Sequence, residues 1–284
     1  MRGLLSFLLV AVMAVPGFSE YKVTGGDDGP ACSAEVEPLG RSVMECIYSH
    51  KIYDPKKDES RESFYILEIG RDASRYSNYR QYKVDSVIVG VYNNKPMTFN
   101  EYRKISNSVG GSMRGSLDDI VKRLGDGSML VHDKVFIDYY VYADSINDLH
   151  WTLLPETAEV CGYECHCATA DFRGRSWKAW YSMDIPQDNG PWKFGNLPGL
   201  ILKVEDADSE HVFEAIAVRN SDREFGYDLR SFFKTSREKF NKMLQEYKDY
   251  PGDFMSGMPA APMKADGSYD KPVRSLFYNA IEKE

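Results

Sequence analysis

Cys161, Cys165 and Cys167 are the residues of this chain whose type and spacing come closest to carrying chemistry. On one β-strand they share parity, so all three project from one face beside Tyr163, while His166 points the other way. Thiolates so grouped suit metal binding or thiol redox chemistry. Geometry limits both. A strand rises ~3.3 Å per residue, so Cys161 and Cys165 lie roughly 13 Å apart, too far to share one ion bonded to sulfur at about 2.3 Å. Cys165 and Cys167, roughly 7 Å apart, form the candidate thiol site and sit at the outer limit for a disulfide. A metal there needs ligands from a neighbouring strand, with His132 or His150 the imidazoles at hand. The competing reading is inert sulfur, buried or disulfide-bonded. Cys32 and Cys46 enclose a short loop and are the candidate disulfide, stabilising by about 2–4 kcal/mol where geometry allows; Cys46 with Cys165 is the alternative pair.

Other groups carry weaker signals. Asp206, Asp208 and Glu210 alternate after an apolar run, a spacing that suits the paired carboxylates of a glycosidase and equally a solvated strand end. Arg173 and Arg175 flank Gly174 in what reads as a hairpin tip, a solvated turn or a seat for a carboxylate or phosphate. Trp177, Trp180, Tyr181 and Trp192 suit a carbohydrate or peptide platform, or a core. The chain contains no G-x-S-x-G elbow, H-E-x-x-H helix or P-loop. No cofactor is implied.

The elements that must position these residues centre on Gly190 to Val204, GPWKFGNLPGLILKV. Trp192 and Phe194 alternate, Gly195-Asn196 turns, and Leu197-Pro198-Gly199-Leu200 reads as a type II turn with positive φ at Gly199. A turn flanked by Leu on both sides is either a corner tucked under other structure or a surface facing a ligand, partner or lipid. Trp192, Phe194, Leu197, Pro198, Gly199 and Leu200 are therefore the candidate binding surface. From Met129 to Val218, short period-two segments separated by Asp, Asn, Gly or Pro predict an antiparallel meander. Arg41 to Tyr53 and Ser63 to Ile69 read as a hairpin. Val84 to Tyr92 suits a helix or a strand, and 93–116 reads as loop-rich. Leu117 to Leu124 places Leu117, Ile120, Val121 and Leu124 at helical spacing between Ser116 and Gly125, predicting a short helix. Ser236 to Tyr247 predicts another, with Phe240, Met243, Leu244 and Tyr247 on one face. The expected fold is mainly β: an antiparallel curved sheet or partly open barrel with one or two peripheral helices. One domain is expected over 41–250, between an arm at 20–40 and an irregular tail at 251–284.

Gly190 to Val204 resembles the signature of the GLPGLI family, exported proteins of Gram-negative envelopes without an assigned activity. The likeness continues through Trp151, Gly162-Tyr163-Glu164-Cys165, Phe172-Arg173-Gly174-Arg175, Ala179-Trp180-Tyr181 and Ile185-Pro186. Leu67-Glu68-Ile69-Gly70 with Ser74 and Tyr76-Ser77 resembles the family's N-terminal motif, and Tyr278-Asn279-Ala280-Ile281-Glu282 its ending. Asn196 stands where the family has its first Gly, a residue that also accepts left-handed φ. Cys161 and Cys167 are additions. The resemblance implies a fold and an address rather than a reaction.

Met1 to Ser19, with Arg2, an apolar run from Leu4 to Val15 and small residues at Gly17 and Ser19, has the layout of a secretory signal peptide. The expected protein is exported, periplasmic or outer-surface, with no transmembrane segment and no lipid-anchoring Cys after the apolar run. The whole chain carries a formal charge of −8, an acidity that disfavours nucleic acid as a partner. The function that follows is non-catalytic binding of an apolar or extended ligand, or of a protein partner in the envelope. A thiol-dependent redox or metal-binding protein using Cys161, Cys165 and Cys167 is the alternative.

Overall fold

Period-two segments build one large sheet in the computed structural model, which describes residues 36–92, 97–110, 119–229, 232–255 and 275–283. The elements in chain order are β1 (Val36–Arg41), β2 (Met44–Asp54), β3 (Glu59–Ile69), β4 (Ala73–Asn78), α1 (Tyr79–Tyr92), α2 (Phe99–Ser108), β5 (Asp119–Arg123), β6 (Ser128–Val135) and β7 (Asp138–Ser145). There follow β8 (Thr152–Val160), β9 (Tyr163–Phe172), β10 (Arg175–Ser182), β11 (Leu200–Asp206), β12 (His211–Asn220), β13 (Glu224–Asp228), β14 (Phe233–Lys234), α3 (Arg237–Asp249) and α4 (Pro251–Met255).

Twelve strands lie in the order β14-β7-β6-β5-β4-β3-β2-β12-β11-β10-β9-β8, and β1 pairs with β13 in a separate ribbon. Two meanders, β2 to β7 and β8 to β12, are thus sewn together along one long seam, β2 against β12 from Met44↔Asn220 to Ile52↔His211. Every neighbouring pair is antiparallel except the short β14–β7 contact. The sheet is curved and does not close into a barrel. One continuous core draws on both meanders: Tyr48, Leu67 and Tyr142 from the first, Trp177, Val204 and Phe213 from the second.

Three expectations need correction or refinement. Of the helix expected over Leu117–Leu124, Asp119–Arg123 is instead the strand β5, between β4 and β6, and Leu117 with residue 118 lies outside the described residues. The side chains of β5 are buried on both faces, Ile120 and Lys122 pointing opposite to Val121, so the alternation that marks a strand is missing and the apolar spacing imitates a helix. Val84 to Tyr92 lies in a helix, α1. The stretch read as loop contains α2, opened by a capping box in which Thr98 and Glu101 satisfy each other's backbone N–H. The second expected helix is α3, with Ser236 as its N-cap accepting from the Lys239 N–H. Residues 1–35, including the expected signal peptide, most of the arm and Cys32, lie outside the described residues, so the Cys32–Cys46 pairing does too.

Candidate functional site

The stretch expected as a binding surface fills the core. Trp192 and Phe194 pack edge-to-face with centroids 5.2 Å apart. Phe194 meets Trp177 at 4.8 Å and Phe213 at 6.1 Å, so the link between β10 and β11 runs through the interior of the curved sheet. Leu197, Gly199 and Leu200 are buried; Asn196 and Pro198 alone are exposed. Main-chain hydrogen bonds sew the link in place: Leu200 N–H to Ile185 O and Ile201 N–H to Asn189 O.

Gly199 does not carry the positive φ expected of it. That conformation belongs to Asn196, at φ 62°, whose side-chain amide donates to the Ile146 and Leu149 carbonyls at 3.0 and 3.2 Å. Gly199 is required for a different reason, because a Cβ there would sit 2.1 Å from the Ser182 carbonyl oxygen. The corner depends on close backbone approach rather than on turn type.

Buried cations hold this interior together. Lys122 on β5 donates to Asn189 Oδ1, Gly190 O and Phe194 O at 3.1, 2.8 and 2.6 Å, pinning the link to the first meander. Burial lowers its ammonium to about 7. Lys193 is 1% exposed and donates to Asp144 Oδ2 at 2.7 Å and to Glu282. Burial opposes ionisation of Asp144, but Lys193 prevails and holds the carboxyl below its usual range.

Arg175 opens β10 and its side chain is 2% exposed. It binds Asp206 Oδ2 at 2.5 Å and Glu210 Oε2 at 2.7 Å, then turns its remaining donors on the C-terminal segment: Asn279 Oδ1, Ala280 O and Ile281 O. Arg173 at the hairpin tip donates to Asp144 and to Ser145 O. These two arginines edge a cleft of about 520 Å³, lined also by Asp148, Asp171 and Ser176. Two of the three carboxylates at and after the end of β11 therefore converge on one cation: Asp206 and Glu210 both accept from Arg175 Nη1, Asp206 also accepts from the His211 N–H and Glu210 from Asn279, while Asp208 is exposed. Asp206 and Glu210 are spent on the buried Arg175 rather than left free on either side of a substrate.

The cysteines are dispersed. Cys161 is exposed on the β8–β9 turn at φ 53°, whereas Cys165, Cys167 and Cys46 are buried, and no two of these four are bridged. The pair Cys46–Cys165 is not bridged. Burial raises every one of them, Cys165 to about 11, opposite to the depression that makes a thiol reactive. Among the described residues no group of three or more His, Cys, Asp or Glu is placed to hold a metal. His132 stacks on Tyr227 in β13 and His150 is exposed. Trp177 is core, and Trp180 is half-buried beside Lys178.

Strand β8 is the outer edge of the twelve-stranded sheet. Most of its residues are exposed, and Leu153 is 60% exposed. Among the described residues it pairs only with β9, across a register shift between Leu154 and Thr157 that takes in Pro155. Sequence reading missed this edge and the buried Lys122 and Lys193. A lysine between two aromatics, Trp192-Lys193-Phe194, was the available signal, since a charge inside an apolar motif needs buried partners.

Among known families, the one described as "Protein of unknown function (Porph_ging)" matches residues 173–203. That interval runs from the hairpin-tip arginine through the buried link into β11. Curated proteins give no match. Among solved structures, PNGF-II in its P21 and C2 crystal forms is similar at 14% and 13% identity, each with a TM-score of 0.47 over 73% of this chain. The chain spans about a third of the length of those proteins, 34% and 33%. No helix among the described residues is long and apolar enough to cross a membrane.

Proposed function

We propose that this protein is an exported, non-catalytic binding protein of the cell envelope, which takes an extended polypeptide partner as an added strand along β8. The observation that carries the reading is the outer edge itself. Nine residues, Thr152–Val160, present an edge with no pairing strand beyond it among the described residues, next to an exposed Leu153. Main-chain groups on such an edge supply affinity, and alternate side chains supply selection. Pro155 and the adjacent register shift interrupt the edge, a device that discourages like edges from pairing indiscriminately. A partner must match the interruption, so the same feature confers specificity.

The motif stretch supports this by elimination of the interior: its aromatics are spent on the core, Asp206 and Glu210 are spent on Arg175, and Cys46, Cys165 and Cys167 are buried. The resemblance to GLPGLI proteins and the leader-like first 19 residues support export to the periplasm or outer surface. The test begins with a display library of extended peptides selected on the mature protein. Binding of the selected peptide should fall at least about tenfold in Leu153→Glu with the melting temperature unchanged. Binding indifferent to every substitution in β8 would reject the reading.

A further inference from the structure

The C-terminal segment 275–283 has no regular secondary structure, yet it is gripped more specifically than most loops. Lys57 donates to the Ser275 and Leu276 carbonyls at 2.9 and 2.6 Å, and Arg61 lies 4.2 Å over the Phe277 ring. The Asn279 amide is read from both sides. Its oxygen accepts from Arg175 at 2.8 Å, and its nitrogen donates to Tyr53 O at 2.8 Å and Glu210 Oε2 at 3.0 Å. Three residues on, the Glu282 carboxylate receives Lys193, Arg237 at 3.2 Å and Asn241 at 2.8 Å. Between them Arg175 takes the Ala280 and Ile281 carbonyls, and the Lys283 N–H closes on Arg173 O at 3.0 Å.

This is the pattern of a peptide in a receptor: main-chain carbonyls held in line, and two side chains selected by buried groups. The groups that select them, Arg175 and Lys193, are nearly inaccessible, so a wrong side chain would leave a buried donor of one or the other unsatisfied. We propose that the cleft between Arg175 and Lys193 is a peptide-recognition site reading Asn-x-x-Glu, filled by the protein's own C-terminal segment and able to take that segment from a second copy. Nineteen residues separate Met255 from Ser275. Fully extended they reach on the order of 60 Å, ample for a donor tail to enter a neighbouring molecule. The inference is independent of the β8 edge, none of whose residues touches the segment through the bonds named above.

The test uses the full chain with a protease site placed between residues 262 and 263, cut after folding. A fluorescent synthetic peptide of residues 275–284 is then added and its anisotropy followed. The peptide should exchange into the cut protein, and peptides carrying Asn279→Ala or Glu282→Gln should bind at least about tenfold more weakly. Equal entry by a scrambled peptide, or no entry by the native one, would overturn the proposal. Hydrogen exchange on the uncut chain with Glu282→Gln provides the second measurement. Faster exchange confined to 276–283 agrees with a separable peptide site, and collapse of protection across β2 and β3 contradicts it.

Discussion

Gly199→Ala is the most discriminating single change. The added Cβ would meet Ser182 O at 2.1 Å, Ser182 C at 2.6 Å and Met183 N at 3.1 Å. All three are backbone atoms, so no side chain can swing aside. Ser182 pairs directly with Leu200, and relieving the overlap separates β10 from β11 where the link enters the core. Overpacking ordinarily costs about 1–3 kcal/mol, and loss of the Leu200 N–H to Ile185 O bond adds about 1 kcal/mol. The expected destabilisation is about 2–4 kcal/mol, read from urea unfolding followed by tryptophan fluorescence. Gly199→Asn separates two physical causes. Were positive φ the requirement, Asn would be milder than Ala, because Asn accepts left-handed backbone. With close approach as the cause, Asn is at least as harmful. A Gly199→Ala protein within about 0.5 kcal/mol of the parent, the ordinary range for a harmless change, would refute the reasoning.

Arg175→Met should cost about 3–5 kcal/mol by leaving Asp206 buried without its cation, measured by the same unfolding curve; a loss under about 1 kcal/mol would contradict the buried pairing. Burial raises the Glu68 carboxyl to about 7 against the pull of Arg75. A raised carboxyl contributes stability at low pH that is lost as pH climbs through 7, so Glu68→Gln should gain up to about 3 kcal/mol at pH 8 and nothing at pH 4. Burial, with Arg175 and Lys283 nearby, lowers His211 to about 3, and burial beside His211 lowers its hydrogen-bonded neighbour His50. Below the ordinary imidazole value near 6.5 the unfolded chain binds protons that the native pair refuses. Stability should therefore fall by up to about 1.4 kcal/mol per pH unit per histidine on acidification toward 3, and a His211→Gln variant should show a shallower acid limb. Native-state alkylation followed by peptide mapping should modify Cys161 and spare Cys46, Cys165 and Cys167.

The meander from Met129 onward was legible because strands such as β10 and β12 bury one face and alternate along most of their length. β5 was not, because both of its faces are buried and its polar groups, Asp119 and Lys122, find partners inside: Arg75 for the first and the link's carbonyls for the second. α2 was legible in principle through Thr98-x-x-Glu101, yet its polar composition hid it among loop residues. At the site, residue types announced Arg173, Arg175 and Asn196, the last correctly as a left-handed position. Their partners were out of reach of local pattern, since Arg175 meets Asn279 and Lys193 meets Glu282 only after the chain has returned across about a hundred residues. Gly199 shows the same limit in miniature. Pro-Gly names a turn, but whether Gly serves φ or close approach is decided by Ser182, a contact no dipeptide records.

The claim that binding occurs along the edge, with the motif stretch reserved for the core, is tested most directly by amide hydrogen exchange of the protein with and without its selected peptide. The account predicts new protection across Thr152–Val160, with Gly190–Leu200 slow to exchange in both states. New protection confined to Trp192–Leu200, with β8 unchanged, would contradict it.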